Sequence, residues 1–359
     1  MTQEQQTLLE DNLEDDSDEI IPFKYSINSY GADYPVDGLV KRLKNESIYI
    51  PSFQRGYVWK LNEASRFIES LLLGLPVPGI FLAKEQETQK LLVIDGQQRL
   101  RTLQYFYDGI FKPTEREFAL KGVQQQFEGS TYKSLADEDR RRLDDSILHA
   151  TIVKQDEPSD DDSSIYYIFE RLNTGGTLLK PQEIRSCIYH GEFNALLHQL
   201  NENRFWRAIF GSVDKNMRDQ ELILRFLALY FNDQEYQLPM KGFLNKFMGK
   251  NQHLDTDLKE KFSQAFEKTI QVVYESIGEE AFKPVKRMNA AVFDAVMIGI
   301  ARNLKQRSIK NYQSLKEKYK ILLSNEGFIS VSVKAANTSH ERNVRQRIHL
   351  ATEAFANVE

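Results

Sequence analysis

The residues best placed to do chemistry are Asp95, Gly96, Gln97, Gln98 and Arg99. They follow an apolar run, Leu91-Leu92-Val93-Ile94, that reads as a short buried strand. They precede Leu100, Leu103 and Phe106, whose spacing predicts one face of a helix. A strand-to-helix junction of this kind carries backbone N–H groups that no helical turn satisfies, and such groups attract anions. Gly96 lets a ligand approach the main chain, and the Arg99 guanidinium is a planar fork suited to phosphate. Asp95 could hold a ribose hydroxyl, a metal ion or a water. An Asp-Gly pair after a strand also serves as a plain turn in which Asp caps the next helix, so the motif gains meaning only in company.

Two other loops supply that company. Gln54 and Arg55 follow the strand-like Ile48-Tyr49-Ile50 and Pro51, in a polar and aromatic stretch that runs to Trp59. Asn173-Thr174-Gly175-Gly176 separates a helix over residues 165–172 from a second one opened by Pro181. Consecutive glycines can form an N–H nest around an anion, although Asn and Gly also end helices in ordinary C-caps. Two arginines, an aspartate, several amides and a glycine turn together suit a nucleotide, with phosphates on arginine and backbone and the ribose and base on Asp and amides. No G-x-x-x-x-G-K-[ST] sequence is present, which disfavours a P-loop mechanism. Glu170 and Glu183 flank the third loop, where solvated helix faces are their ordinary place.

Elements that must position these loops can be read from periodicity. Residues 25–34 suggest a short strand, 37–44 a helix, and Asn62 the cap of a helix that Gly74 and Pro76 end. Ile80–Ala83 and Leu91–Ile94 read as a hairpin across the polar residues 84–90. The pattern is weak over residues 112–129. A charged helix carries Arg140-Arg141-Arg142, and a strand spans 147–153. Beyond it, residues 156–162 form an acidic loop that lacks the glycine and terminal glutamate of a calcium loop. After about residue 190 strand signals nearly vanish, and amphipathic helices recur near 193–200, 219–230, 258–277, 290–303, 312–323 and 337–355. The expected organisation is an acidic, disordered tail over 1–20, an α+β domain over 21–190 and a mostly helical domain over 191–359.

Composition narrows the class. Hydrophobic residues make up 41% and charged residues 28% of 359, which is ordinary for a globular protein. The net charge is −5, but residues 1–20 hold eight acidic side chains and no Lys or Arg. The remainder has 47 basic against 44 acidic residues, a slight basic excess that permits contact with nucleic acid. Arg342, Arg345 and Arg347 lie together in a basic helical stretch. The single Cys187 can make no intramolecular disulfide and reads as a small core residue. No signal peptide and no apolar run of about 18 residues are visible, so a cytoplasmic protein without a membrane span is expected.

Three blocks, Ile50-Pro51-Ser52-Phe53-Gln54-Arg55, Val93-Ile94-Asp95-Gly96-Gln97-Gln98-Arg99-Leu100 and Phe169-Glu170-Arg171-Leu172-Asn173-Thr174-Gly175-Gly176-Thr177-Leu178-Leu179, together resemble the signature of one family. It is the ParB/sulfiredoxin-like N-terminal domain of GmrSD-type modification-dependent endonucleases and their phage-defence relatives. The resemblance covers roughly residues 25–190 and implies an α+β domain whose D-G-Q-Q-R loop binds, and in several members hydrolyses, a nucleoside triphosphate with Mg²⁺. It implies catalytic roles for Asp95 and Arg99, and nucleotide contacts from Gln54, Arg55, Gly96, Gln97, Gln98 and Asn173. DNA and a separate nuclease subunit are the partners it suggests. Relatives often end in a His-Asn-His nuclease, whose metal needs patterned histidines. His340 and His349 form no such pattern, so nuclease activity from this chain alone is not expected. The alternatives are a nucleotide-dependent switch without turnover and a DNA-binding partner subunit of a separate nuclease.

Overall fold

The computed structural model describes residues 26–51, 57–85, 88–157, 163–172, 179–335 and 337–358. The expected acidic tail lies outside them. The chain divides into two compact units, one spanning Lys24–Leu179 and one containing Lys180–Glu359.

In the first unit, the expected hairpin forms β3 (Ile80–Lys84) and β4 (Leu91–Asp95), antiparallel, with Leu82 opposite Val93. Leu91, Leu92, Val93 and Ile94 are all buried because both faces of the sheet are covered, which is why the run is continuous and not alternating. These strands lie in a five-stranded sheet with β1 (Ser26–Pro35), β2 (Ile48–Tyr49) and β7 (Ile147–Glu157), ordered β1-β7-β3-β4-β2. β1 and β7 are antiparallel, whereas β7 with β3 and β4 with β2 are parallel. On one face Ile80, Leu82, Leu91, Val93, Leu148, Ala150 and Ile152 meet Leu39 and Leu43 of α1 (Val36–Lys44) and Leu100 of α3 (Gln97–Asp108). The other face carries α5 (Ser163–Leu172), which packs on β4 and β7 with Ile165, Tyr166 and Phe169 buried.

Helices α2 (Leu61–Leu72) and α4 (Asp137–Asp145) complete this unit around a second apolar cluster. Glu63 caps α2, accepting a hydrogen bond from the Lys60 N–H at 2.7 Å; Asn62, expected as the cap, lies inside the helix. The unpatterned stretch after α3 folds as the two-residue strands β5 (Ile110–Phe111) and β6 (Arg116–Glu117) and a series of turns. Its apolar residues Phe118, Leu120 and Phe127 plug the cluster at irregular spacing, so no period announced them.

The second unit is helical among its described residues: α6 (Pro181–Ile188), α7 (Glu192–Asn201), α8 (Arg204–Phe210), α9 (Arg218–Asn232), α10 (Met240–Lys250), α11 (Thr256–Ser276), α12 (Ala290–Gln306), α13 (Tyr312–Ser324), α14 (Glu326–Val331) and α15 (Glu341–Phe355). Helix α12 is buried along most of its length and packs against α9, α11 and α15. Gly299 permits a close approach of α12 to α15, since a Cβ there would stand 2.9 Å from the Ala351 backbone.

Helix α9 buries the polar Asp219, Glu221 and Arg225 within this unit. Arg225 grips Asp294 of α12 through Nη2 at 2.7 Å and Nε at 3.2 Å, and Arg347 of α15 reaches the same carboxylate at 2.7 Å. Arg347 also donates to the Thr338 carbonyl. The basic stretch read from the sequence is thereby corrected: Arg342 and Arg345 are exposed, but Arg347 is fully buried in an ion triad. Among the described residues no helix is long and apolar enough to cross a membrane.

Candidate functional site

β4 ends at Asp95, and the chain turns through Gly96 at φ +99°, a left-handed conformation that strains any residue with a Cβ. A Cβ at Gly96 would also lie 2.4 Å from Ile80 Cγ2 and 3.3 Å from Arg99 Nη2. Among the described residues no side chain caps α3. Its first-turn amides thus point out of the sheet end as a helix N-terminus does, with the positive end of the dipole behind them.

Arg99 is fixed at this junction. Its Nη2 donates to Asp95 Oδ2 at 3.0 Å and to the Gly79 carbonyl at 2.9 Å. The arginine side chain is 15% exposed and the aspartate 48%, so the pair faces solvent with its acidic member outermost. Arg99 Nε and Gln97 Oε1 are buried and have no hydrogen-bond partner among the described residues. A buried polar atom without a partner is costly, and a ligand or water that satisfies it recovers that cost.

The Gln98 side chain holds a segment forty residues back in the chain. Its Oε1 accepts from the backbone N–H groups of Val58 at 3.0 Å and Trp59 at 3.4 Å. One turn on, Thr102 Oγ1 donates to the Gln98 carbonyl at 2.7 Å and lies 2.6 Å from the Tyr57 hydroxyl. Tyr57 packs edge-on against Tyr105 and Phe111, and burial pushes its phenol up to about 12, with the Thr102 hydrogen bond opposing. The first two turns of α3 therefore anchor the segment that directly follows Gln54 and Arg55.

Of the site residues expected from sequence, Asp95, Gly96, Gln97, Gln98 and Arg99 are brought together. Gln54, Arg55 and Asn173 lie outside the described residues. Gly79 and Tyr57 were missed; Pro78-Gly79 before a strand and Tyr57 in the aromatic loop were visible, but nothing local tied either to α3. Glu183 accepts a hydrogen bond from the Lys180 N–H at 2.7 Å and so caps α6. Cys187 is buried, and burial pushes its thiol well above the ordinary range. Among the described residues no group of three His, Cys, Asp or Glu side chains could hold a metal ion.

Residues 36–190 match the family described as the GmrSD restriction endonuclease, N-terminal domain. The chain thus carries a domain of that family, and the D-G-Q-Q-R junction lies inside the matched stretch. No curated protein compared with the chain matches it.

Proposed function

We propose that the Asp95–Arg99 junction binds a nucleoside triphosphate and hydrolyses it, in a protein of DNA restriction or phage defence. The family supports the setting. The observation that carries the site is Arg99, held by Asp95 and Gly79 at the start of α3, with its Nε and the Gln97 Oε1 buried and without a hydrogen-bond partner among the described residues. Phosphates would sit on the α3 amides and Arg99, where a helix N-terminus and a guanidinium act together. Asp95 has one oxygen outside its ion pair for a ribose hydroxyl or for Mg²⁺. A magnesium ion carried by a triphosphate needs only one or two carboxylates, and this junction presents one. Bound there, the ion would offset phosphate charge. Gln54, Arg55 and Asn173 would complete the contacts, in a ParB/sulfiredoxin-like domain.

Beside a nucleotide-dependent switch without turnover, the other reading is a DNA-binding partner subunit of a separate nuclease. It is favoured by the charge of the helical unit, where residues 180–359 hold 27 Lys and Arg against 21 Asp and Glu. One experiment separates the readings: thermal denaturation of wild type and Arg99→Ala with each nucleoside triphosphate and Mg²⁺, with phosphate release measured in the same samples. A ligand that binds only the folded state raises the melting temperature. The expected result is a rise in wild type that Arg99→Ala abolishes, together with phosphate release. A rise without release supports the switch, and no rise with any nucleotide refutes the site.

A further inference from the structure

The five-stranded sheet has two unlike edges. One is β2, which is only two residues long. The other is β1, which runs for ten residues and, among the described residues, pairs only with β7. An edge strand presents N–H and C=O groups with no ladder on its outer side, and proteins blunt such edges with short strands, lysines, prolines or bulges. The β2 edge is blunted by its length. The β1 edge is not blunted. From Ile27 onward its register with β7 is unbroken, it contains no Lys or Arg, and its one proline is its last residue. Residues 27–31, Asp33 and Pro35 are exposed, with Ile27 at 43% and Tyr30 at 45%.

The order of residues in β1 suits pairing with itself. Successive side chains alternate between the two faces of a sheet. Ala32 and Tyr34 pack on the face that carries Leu148, Ala150 and Ile152, so Asn28 and Tyr30 share that face. Ile27, Ser29, Gly31, Asp33 and Pro35 lie on the other. Two copies joined edge to edge by a two-fold axis perpendicular to the sheet oppose only residues of the same face. With the axis at Gly31, Tyr30 stands opposite Ala32 of the second copy, Asn28 opposite Tyr34, Ile27 opposite Pro35 and Ser29 opposite Asp33. The exposed phenol ring meets a methyl group, and the exposed isoleucine meets a proline ring. The serine hydroxyl meets a carboxylate whose Oδ1 lies 2.8 Å from His149 Nδ1, which leaves Oδ2 to accept from it. Cross-strand pairs of these kinds are favourable, and no like charges are opposed. Charge outside the strand fits as well. Eight acidic residues precede β1 within residues 1–20. An antiparallel pair carries its two N-terminal segments away from opposite ends, about 30 Å apart, where salt screens their repulsion.

We propose that β1 is a dimer interface, at which the β1 strands of two copies pair antiparallel about Gly31 and join their two sheets into one. The occupant is a second copy because the register closes on itself. Each exposed side chain of the edge finds its complement within the same ten residues, as an isologous contact requires.

The test is sedimentation velocity of the full chain over a range of concentrations, without nucleotide. The expected result is a dimer in wild type and a monomer when Ile27→Lys and Tyr30→Lys are combined, which sets a lysine on each face of the edge. Unchanged far-ultraviolet circular dichroism confirms the fold of that variant. A second variant reads the register without disturbing the apolar residues. Opposed Cα atoms in an antiparallel pair are about 4.5–5.5 Å apart, within the span of a disulfide. Ser29→Cys and Asp33→Cys in one chain should therefore give a covalent dimer on oxidation, and either substitution alone should not; the native Cys187 is buried and takes no part. A wild type that stays monomeric at every concentration overturns the proposal. So does a dimer that both lysines leave intact, or a doubly substituted chain that oxidation does not join.

Discussion

At the scale of single residues, the candidate site depends on one backbone conformation. Gly96 combines φ +99° with a methyl-sized gap filled by Ile80. Gly96→Ala therefore adds left-handed strain, about 1–2 kcal/mol for an L-residue, to a direct clash. It should lower stability in urea denaturation by at least that strain and weaken nucleotide binding with it. A variant as stable as wild type would show that the turn relaxes freely. The motif was legible in the sequence because everything that defines it is local: four buried residues, a glycine, then a helical period. The Gln98 side chain was not legible in the same way. Its carbonyl oxygen is spent on the amides of Val58 and Trp59, forty residues back, and no period in either segment encodes that pairing.

Among elements, the helical unit is joined by charge as well as by apolar packing. Asp294 on α12 lies between Arg225 on α9 and Arg347 on α15, all buried. Burial alone would push the Asp294 carboxyl up, but the two guanidinium groups outweigh it and hold the carboxyl below the usual carboxylate range. Its folded value is thus lower than its unfolded one, about 3.9. The stability it contributes is fully present above the unfolded value and is lost as pH falls through the folded one. Asp294→Asn leaves two buried cations without their anion and should cost about 3–5 kcal/mol at neutral pH. Chemical denaturation at pH 7 and at pH 3 checks both parts, with a smaller difference between variant and wild type expected at the lower pH. Equal stabilities at pH 7 would mean that solvent reaches the triad. Periodicity found the long helices α9, α11 and α12, but α8 and α14, at seven and six residues, are too short to show a stripe. It also carried an unread warning about Arg347. Val344, Ile348, Ala351 and Phe355 are buried at helical spacing, and position 347 falls on that same face.

For the whole molecule, charge and fluorescence are divided along the same line as the fold. Residues 24–179 hold 20 basic and 23 acidic side chains, residues 180–359 hold 27 and 21, and the first twenty residues hold eight acids. The overall −5 therefore hides a basic helical unit, which a sum over the chain did not reveal until the units were known. The two tryptophans are divided as well. Trp206 is fully buried in the helical unit, with its indole N–H on Asn201 Oδ1 at 3.0 Å. Trp59 is half-buried, edge-on to Phe67, and its own amide is held by Gln98 in the first turn of α3. Burial thus predicts a red-shifted, quencher-accessible emission from Trp59 and a blue-shifted emission from Trp206. In Trp206→Phe the remaining indole should change intensity as nucleotide saturates, and a silent Trp59 at saturation would place the ligand away from the Tyr57–Trp59 segment. Two colours of emission from one unmodified chain can then be followed together, so that events at the α3 junction and in the helical unit are timed against each other without a dye.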